Sequence, residues 1–168
     1  MGLLSGGRVH AGFIGGAEID RFGNINTSYI GNVDDPEVKL PGSGGAPDIA
    51  AMAERLIIIM NHQKHRLVHK VDYITSPGFL DGGDARQRSG LAGGGPSAVI
   101  TDRAILRPFG PDNELHLAAY HPNHTVTEIM ENTGWDLKSV PDLHETPSPT
   151  PTELEALHVI DKDGFWRN

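Results

Sequence analysis

Gly42-Ser43-Gly44-Gly45-Ala46-Pro47-Asp48 sets three glycines and an aspartate between an extended segment, residues 38–40, and the start of an expected helix. Glycine admits φ > 0 and lets the main chain approach a ligand closely, and a helix start leaves N–H groups without intrahelical partners. Such a turn suits an oxyanion, a carboxylate or a phosphate. The plain alternative is a tight connection. The run has neither the Lys-Ser/Thr ending of a nucleotide P-loop nor the spacing of a dinucleotide fingerprint. Asp48 is expected to cap the helix rather than do chemistry.

A second glycine-rich stretch, residues 77–96, carries seven glycines together with Asp81, Asp84, Arg86 and Arg88, and almost no apolar material. Long loops of this kind are functional or disordered. Arg86 and Arg88 are placed to meet a phosphate or a carboxylate, for which the guanidinium fork is suited; a solvated charged loop is the alternative. Nine histidines raise metal binding, above all His62, His65 and His69. Their spacing is loose, and Lys64, Arg66 and Lys70 oppose a cation, so surface or capping roles are expected and no metal. The chain has no cysteine, which removes disulfides, Cys-ligated zinc and a thiol nucleophile, and it has no Gly-x-Ser-x-Gly elbow.

These residues need a scaffold. Residues 8–14 and 24–30 read as short strands joined by the polar turn 20–23. Residues 48–55 predict a short helix, and Leu56-Ile57-Ile58-Ile59-Met60 a strand buried on both faces, which requires helices over a sheet. Residues 67–74 and 98–101 add strands, and 104–109 with 114–120 form a hairpin around Gly110-Pro111-Asp112-Asn113, making the sheet mixed. Thr125 or Thr127 caps a helix to Asn132, with Gly134 as its stop and Trp135 packing behind. Pro141, Pro147, Pro149 and Pro151 make 137–151 a surface strap, and Thr150 or Thr152 caps a last helix before an exposed tail, 161–168.

With 168 residues, 38% hydrophobic and 21% charged, the chain reads as one domain, 1–168, with its own core. A net charge of −8 argues against a nucleic-acid binder, which needs a basic face. No apolar run approaches the roughly 18 residues of a membrane span, and the start has no charged leader with a long apolar core, which reads as cytoplasmic.

The stretch upstream of the glycine run is Gly15-Gly16-Ala17-Glu18-Ile19-Asp20-Arg21-Phe22-Gly23-Asn24-Ile25-Asn26. Taken in order with Gly6-Gly7-Arg8-Val9, the glycine run, Lys70-Val71-Asp72-Tyr73-Ile74-Thr75 and Pro77-Gly78-Phe79-Leu80-Asp81-Gly82-Gly83-Asp84, it resembles the catalytic-half subunit of the family I coenzyme A transferases. That group contains the B-type polypeptide of glutaconate CoA-transferase and the 3-oxoacid CoA-transferases, and the resemblance runs from about Gly6 to the C-terminus. It implies an α/β fold, a NagB/RpiA/CoA-transferase-like open mixed sheet with covering helices. It implies ping-pong transfer of CoA between an acyl-CoA and a short dicarboxylic or 3-oxo acid through a glutamyl-CoA thioester. CoA would be a substrate, not a resident cofactor, and an A-type companion subunit would complete a hetero-oligomer.

The resemblance further implies oxyanion donors in the backbone N–H groups of Gly42, Gly44 and Gly45, Gly45 first, and substrate or CoA contacts from Asn24, Asn26, Arg86 and Arg88. The family's nucleophilic glutamate sits well upstream of the Gly-Gly-x-Val strand, and neither Glu18 nor Glu54 occupies its place. No nucleophile is therefore expected in this chain; the glutamate would lie on another polypeptide or be dispensed with. Relatives sharing the Ile-Asp-Arg-Phe-Gly-Asn segment include hydrolases that open rings of steroid-derived CoA thioesters, which makes hydrolysis an alternative. A non-catalytic scaffold subunit is a third reading.

Overall fold

The computed structural model describes residues 2–165. In chain order its elements are α1 (Gly2–Ser5), β1 (Ala11–Ile14), β2 (Glu18–Asp20), β3 (Ile25–Asn26), β4 (Tyr29–Gly31), β5 (Pro36–Lys39), α2 (Ala46–Met52) and β6 (Arg55–Ile59). There follow β7 (Leu67–Val68), α3 (Ala85–Arg88), β8 (Pro96–Ile100), β9 (Ala104–Phe109), β10 (Glu114–Tyr120), α4 (Val126–Glu131), β11 (Ser139–Glu145) and α5 (Pro151–Ile160). Six strands form one sheet in the order β1-β6-β8-β9-β10-β11, and it is mixed, as the sequence predicts. β1, β6 and β8 are parallel, β8, β9 and β10 antiparallel, and β11 runs parallel to β10. A three-stranded sheet, β3-β2-β7, and the hairpin β4-β5 complete the strands.

The turn chemistry explains most of the boundaries. Gly110 (φ 72) and Asn113 (φ 57) supply the left-handed residues that close the expected β9-β10 hairpin. Thr125 caps α4 by accepting from the Glu128 N–H, and Thr150 forms a full capping box with Glu153 at α5. Pro47 sits in the first turn of α2, where its missing N–H costs nothing. The N-cap there is Gly45, and Asp48, expected to cap, makes no capping hydrogen bond because it lies inside the first turn.

Several expected strands are shorter. Residues 24–30 split into β3 and β4, because the chain between them bonds to Thr75 and to the Asn26 side chain instead of a ladder. Residues 67–74 yield only β7; beyond it the chain returns to β3, where Thr75 and Ser76 N–H both donate to the Ile25 carbonyl. β2 lies where no strand was expected. Part of the expected strap, Ser139–Glu145, is β11, and Pro141 is tolerated because β11 is a sheet edge. Asp161, expected in an exposed tail, is buried, and residues 166–168 of that tail lie outside the described residues.

The core joins the two sheets and two helices: Leu56, Ile58, Val99, Leu106 and Leu117 from the large sheet meet Ile19, Ile25, Leu67, Ala50 and Ile129. Each fully buried aliphatic side chain contributes about 1.5–3 kcal/mol. Gly12 of β1 lets α2 approach: a Cβ there would sit 2.4 Å from Ile49 Cγ2. The opposite face of the large sheet is not covered in this way. Register places Phe13, Ile57, Ile59, Ile100 and Ile105 together on it, all outside the buried core, with Phe13 61% and Ile59 53% exposed. β6 is therefore buried on one face and not, as its apolar run predicts, on both.

Candidate active site

The small sheet carries two acid-amide pairs. Alternation along β2 puts Glu18 and Asp20 on one face, and the antiparallel partner brings Asn26 opposite Glu18, with Asn24 closing on Asp20. Asn26 Nδ2 donates to Glu18 Oε2 at 3.0 Å and to the Tyr29 carbonyl at 2.6 Å, while its Oδ1 accepts from Ser28 N–H at 3.0 Å. Asn24 Nδ2 donates to both Asp20 oxygens, and Asp20 Oδ1 also accepts from the Phe22 and Asn24 N–H groups. All four side chains are buried. Burial pushes both carboxyls above their ordinary range, against the opposing pull of their hydrogen bonds.

Each pair supports a different glycine-rich segment. The Glu18–Asn26 pair fixes the turn at residues 27–28, to which Thr75 Oγ1 adds an acceptor for Thr27 N–H at 2.9 Å. The turn in its place holds the glycine run: Gly42 N–H donates to the Thr27 carbonyl at 2.7 Å and Leu40 N–H to the Ser28 carbonyl at 3.0 Å. Beyond that anchor the N–H groups of Ser43, Gly44 and Gly45 have no partner among the described residues. Gly42 (φ 96) and Gly44 (φ 49) take left-handed conformations, Gly45 (φ −92) does not, and a Cβ at any of the three would meet nothing within 4 Å.

The Asp20–Asn24 pair holds the other segment. Asn24 Oδ1 accepts from the Gly78 and Leu80 N–H groups at 2.9 and 3.0 Å, and Nδ2 donates to the Leu80 carbonyl at 2.8 Å, fixing Leu80 at φ 57. Arg86 lies beneath, 4% exposed, and its guanidinium donates to the carbonyls of Gly93, Pro77, Gly78, Ala50 and Ala51. The last two are terminal carbonyls of α2, so Arg86 caps that helix from a segment 35 residues away. Arg88, by contrast, is exposed and ion-paired with Asp84 one helical turn before it.

Of the seven side chains and amides singled out in the sequence, the structure thus turns Asn24, Asn26 and Arg86 inward, with their polar atoms spent on the protein itself. Gly42 has spent its N–H on Thr27, and Gly44 and Gly45 stand open. Ser43 joins them; an amide N–H belongs to every residue but proline, so no side-chain signal marks it. Thr75 was also missed, its role resting on a partner 48 positions away. On the outer side of the Asp20–Asn24 pair is a cavity of about 150 Å³ lined by Arg21, Phe22, His69, Lys70, Leu80 and Asp81 among others. Arg21 touches His69 there and stacks over Phe22, 4.9 Å from the ring centroid.

The three histidines weighed as metal ligands do not converge: His62 is fully buried, whereas His65 and His69 are exposed or at the surface. His62 N–H donates to Asp102 Oδ1 at 2.6 Å, Nδ1 faces Thr101 Oγ1 at 3.1 Å, and Nε2 lies 3.2 Å from the Ile129 carbonyl. A carbonyl only accepts, so the ring proton belongs on Nε2. Burial holds this imidazole below its ordinary pKa.

The sequence matches the coenzyme A transferase family model over residues 2–132. It is 46% identical over 158 residues to the B-type polypeptide of 3-oxoadipate CoA-transferase from Pseudomonas knackmussii, covering 94% of this chain and 61% of that protein. The B-type polypeptide of glutaconate CoA-transferase from Acidaminococcus fermentans is 42% identical over 146 residues, covering 86% of this chain and 54% of that one. The crystal structure of the glutaconate enzyme superposes with a TM-score of 0.81 over 88% of this chain and 56% of that chain. A more distant relative, the cholesterol ring-cleaving hydrolase IpdB subunit of Rhodococcus jostii, is 24% identical over 160 residues, 94% of this chain and 61% of that protein. The chain spans about half to six-tenths of the length of these curated relatives.

Proposed function

The chain belongs to the coenzyme A transferase family, and on that premise we propose that it is part of an enzyme moving CoA between an acyl-CoA and a short dicarboxylic or 3-oxo acid, supplying oxyanion donors. The observation that carries the reading is the glycine run, where the N–H groups of Ser43, Gly44 and Gly45 stand unpaired and the glycines have open space around them. A glutamate carboxylate attacks the acyl-CoA carbonyl, and the resulting oxyanion is where such donors act. The CoA thiolate leaves, then attacks the glutamyl carbonyl of the mixed anhydride, releasing the first acid and leaving a glutamyl-CoA thioester. The acceptor carboxylate reverses these steps. Losing one oxyanion donor costs about 2.7–4 kcal/mol of barrier.

The family resemblance supports a nucleophile on another segment or polypeptide, since in the family the glutamate precedes the Gly6-Gly7-Arg8-Val9 strand and neither Glu18 nor Glu54 holds its position; burial of Glu18 against Asn26 as a support agrees with that. A companion subunit follows from the same reading. The uncovered apolar face bearing Phe13 and Ile59 supports burial in a larger assembly, since parallel strands of this kind are ordinarily covered on both sides. CoA enters as a substrate, and a cytoplasmic site fits that substrate; no helix among the described residues is long and apolar enough to cross a membrane.

The test is intact-mass spectrometry of the purified assembly, chain by chain, after incubation with a panel of acyl-CoAs. A CoA-sized adduct on a companion polypeptide, with this chain unmodified, is the expected result. Free CoA with neither adduct nor acceptor would move the reading to thioester hydrolysis, and a ring-opened product with its thioester intact to the ring cleavage named for the R. jostii relative. Neither signal from a folded assembly would make this a non-catalytic part.

A further inference from the structure

Hydrogen bonds tie the open amides of the glycine run to a buried carboxylate. Glu18 Oε2 accepts from Asn26 Nδ2; Asn26 Oδ1 and Nδ2 close the turn onto Ser28 N–H and the Tyr29 carbonyl. Thr75 Oγ1 takes Thr27 N–H and lies 2.8 Å from Ser28 Oγ. The turn presents the Thr27 and Ser28 carbonyls, which hold Gly42 and Leu40. The next N–H groups along the chain are the unpaired ones of Ser43, Gly44 and Gly45. Glycines at 42 and 44 in left-handed conformations give the run no side-chain packing of its own, so these two backbone bonds are its fixed end.

We infer that Glu18 and Asn26 are positioning residues for the glycine run, fixing where its free amides stand without touching the substrate. The inference rests on the proposed oxyanion role for its effect on turnover, but not for its effect on the run itself. Burial of a carboxyl beside one carboxamide is otherwise unfavourable, and a plain core pair would serve the small sheet as well. A carboxyl whose hydrogen-bond chain ends on the glycine run is accounted for by what the run must do. Asp72 and His65 are the other titratable groups that act on Glu18, and Asp72 is itself bonded to the Gly31 N–H in the neighbouring hairpin.

The experiment compares Glu18→Ala, Glu18→Gln, Asn26→Ala and, as a control on the neighbouring pair, Asn24→Ala, in the full chain and in the assembly it forms. Hydrogen exchange over residues 38–46 should accelerate at Gly42 in Glu18→Ala and Asn26→Ala. It should stay near wild type in Glu18→Gln, whose amide oxygen still accepts from Asn26, and in Asn24→Ala. In the assembly, Glu18→Ala and Asn26→Ala should lower kcat for CoA transfer about 100-fold, the size of losing one oxyanion donor, with KM for acyl-CoA within twofold. Glu18→Gln should recover most of it. Unchanged Gly42 exchange in Asn26→Ala would overturn the inference, as would a Glu18→Gln variant as impaired as Glu18→Ala. Faster Gly42 exchange in an assembly whose wild type transfers no CoA would keep the positioning role and remove the oxyanion reading.

Discussion

The glycine run at 42–45 and the loop at 77–95 look alike as sequence, and the structure uses their glycines for opposite ends. At several loop positions, glycine is there because something else fills the space, while Gly83 and Gly90 stand open in left-handed conformations. A Cβ on Gly93 would lie 2.3 Å from the Ala53 carbonyl, on Gly94 2.3 Å from that of Glu54, and on Gly78 2.4 Å from Gly23. In the run, Cβ positions on Gly42, Gly44 and Gly45 meet nothing within 4 Å, and Gly45 does not need a glycine for its backbone angles. The loop's hydrogen bonds are spent inward through Asn24 and Arg86, whereas three successive amides of the run are left over. A glycine that packing and conformation do not demand is more telling of a ligand than one wedged against a carbonyl.

The contrast can be broken most sharply at Gly45. Gly45→Val should abolish turnover of the assembly while changing the chain's unfolding free energy, from urea denaturation, by about 1 kcal/mol or less, the scale of an N-cap change. Full activity in that variant would remove the run from the mechanism. Arg86→Ala should do the reverse of a binding-site change, losing about 4 kcal/mol of stability because five carbonyls in three segments lose their donor at once. Arg86→Lys should recover little, since a point charge cannot span that fork. Weakened acyl-CoA affinity with unchanged stability would instead return Arg86 to the ligand. Gly93→Ala should cost about 3 kcal/mol by urea denaturation, from overpacking against the end of α2. A neutral result there would erase the distinction between the two segments.

Local chemistry made much of this fold legible. The alternation through β9 and β10 with Gly110 and Asn113 between them stands as expected, and of the two candidates for each helix cap the structure uses Thr125 and Thr150, the latter boxed with Glu153; all are decided within a few residues. The mixed sheet and the family are legible for the same reason. Failures begin where a distant segment decides. Residues 67–74 carry a strand's apolar content, but the β3 carbonyl at Ile25 captures Thr75 and Ser76 and ends the ladder at Val68. Arg86 reads as a loop cation because its acceptors at Ala50 and Ala51 lie 36 and 35 residues away. Asn24 and Asn26 read as ligand contacts because nothing local shows that buried carboxyls two residues apart will claim them. The glycine run was legible as open backbone, but which of its amides remain free depends on the Thr27 carbonyl taking Gly42.

Mild acid should separate the scaffold from the open run by a smaller effect. His62 ties the end of β6 to α4 and to Thr101, and it is surrounded by Asp102, Arg103 and Glu128. Its folded pKa lies below its unfolded value of about 6.5, so its contribution to stability is complete above that pH. As pH falls through 6.5 towards the depressed folded value, the unfolded chain takes the proton first, and stability declines by up to about 1.4 kcal/mol per pH unit. Glu18 and Asp20 have the opposite sign: raised by burial, they protonate first in the folded state and add stability as pH falls towards the ordinary carboxyl range. His116, also held low by burial, shares the sign of His62, so His62→Gln is the variant that isolates the buried ring. Urea midpoints between pH 7.5 and 5.5 should fall in the wild type and flatten in His62→Gln, with exchange of the Ser43, Gly44 and Gly45 amides following only the intrinsic pH dependence of unbonded groups. An equal slope in both proteins would place the acid sensitivity elsewhere, and slowed exchange at those amides would mean that the run is not open.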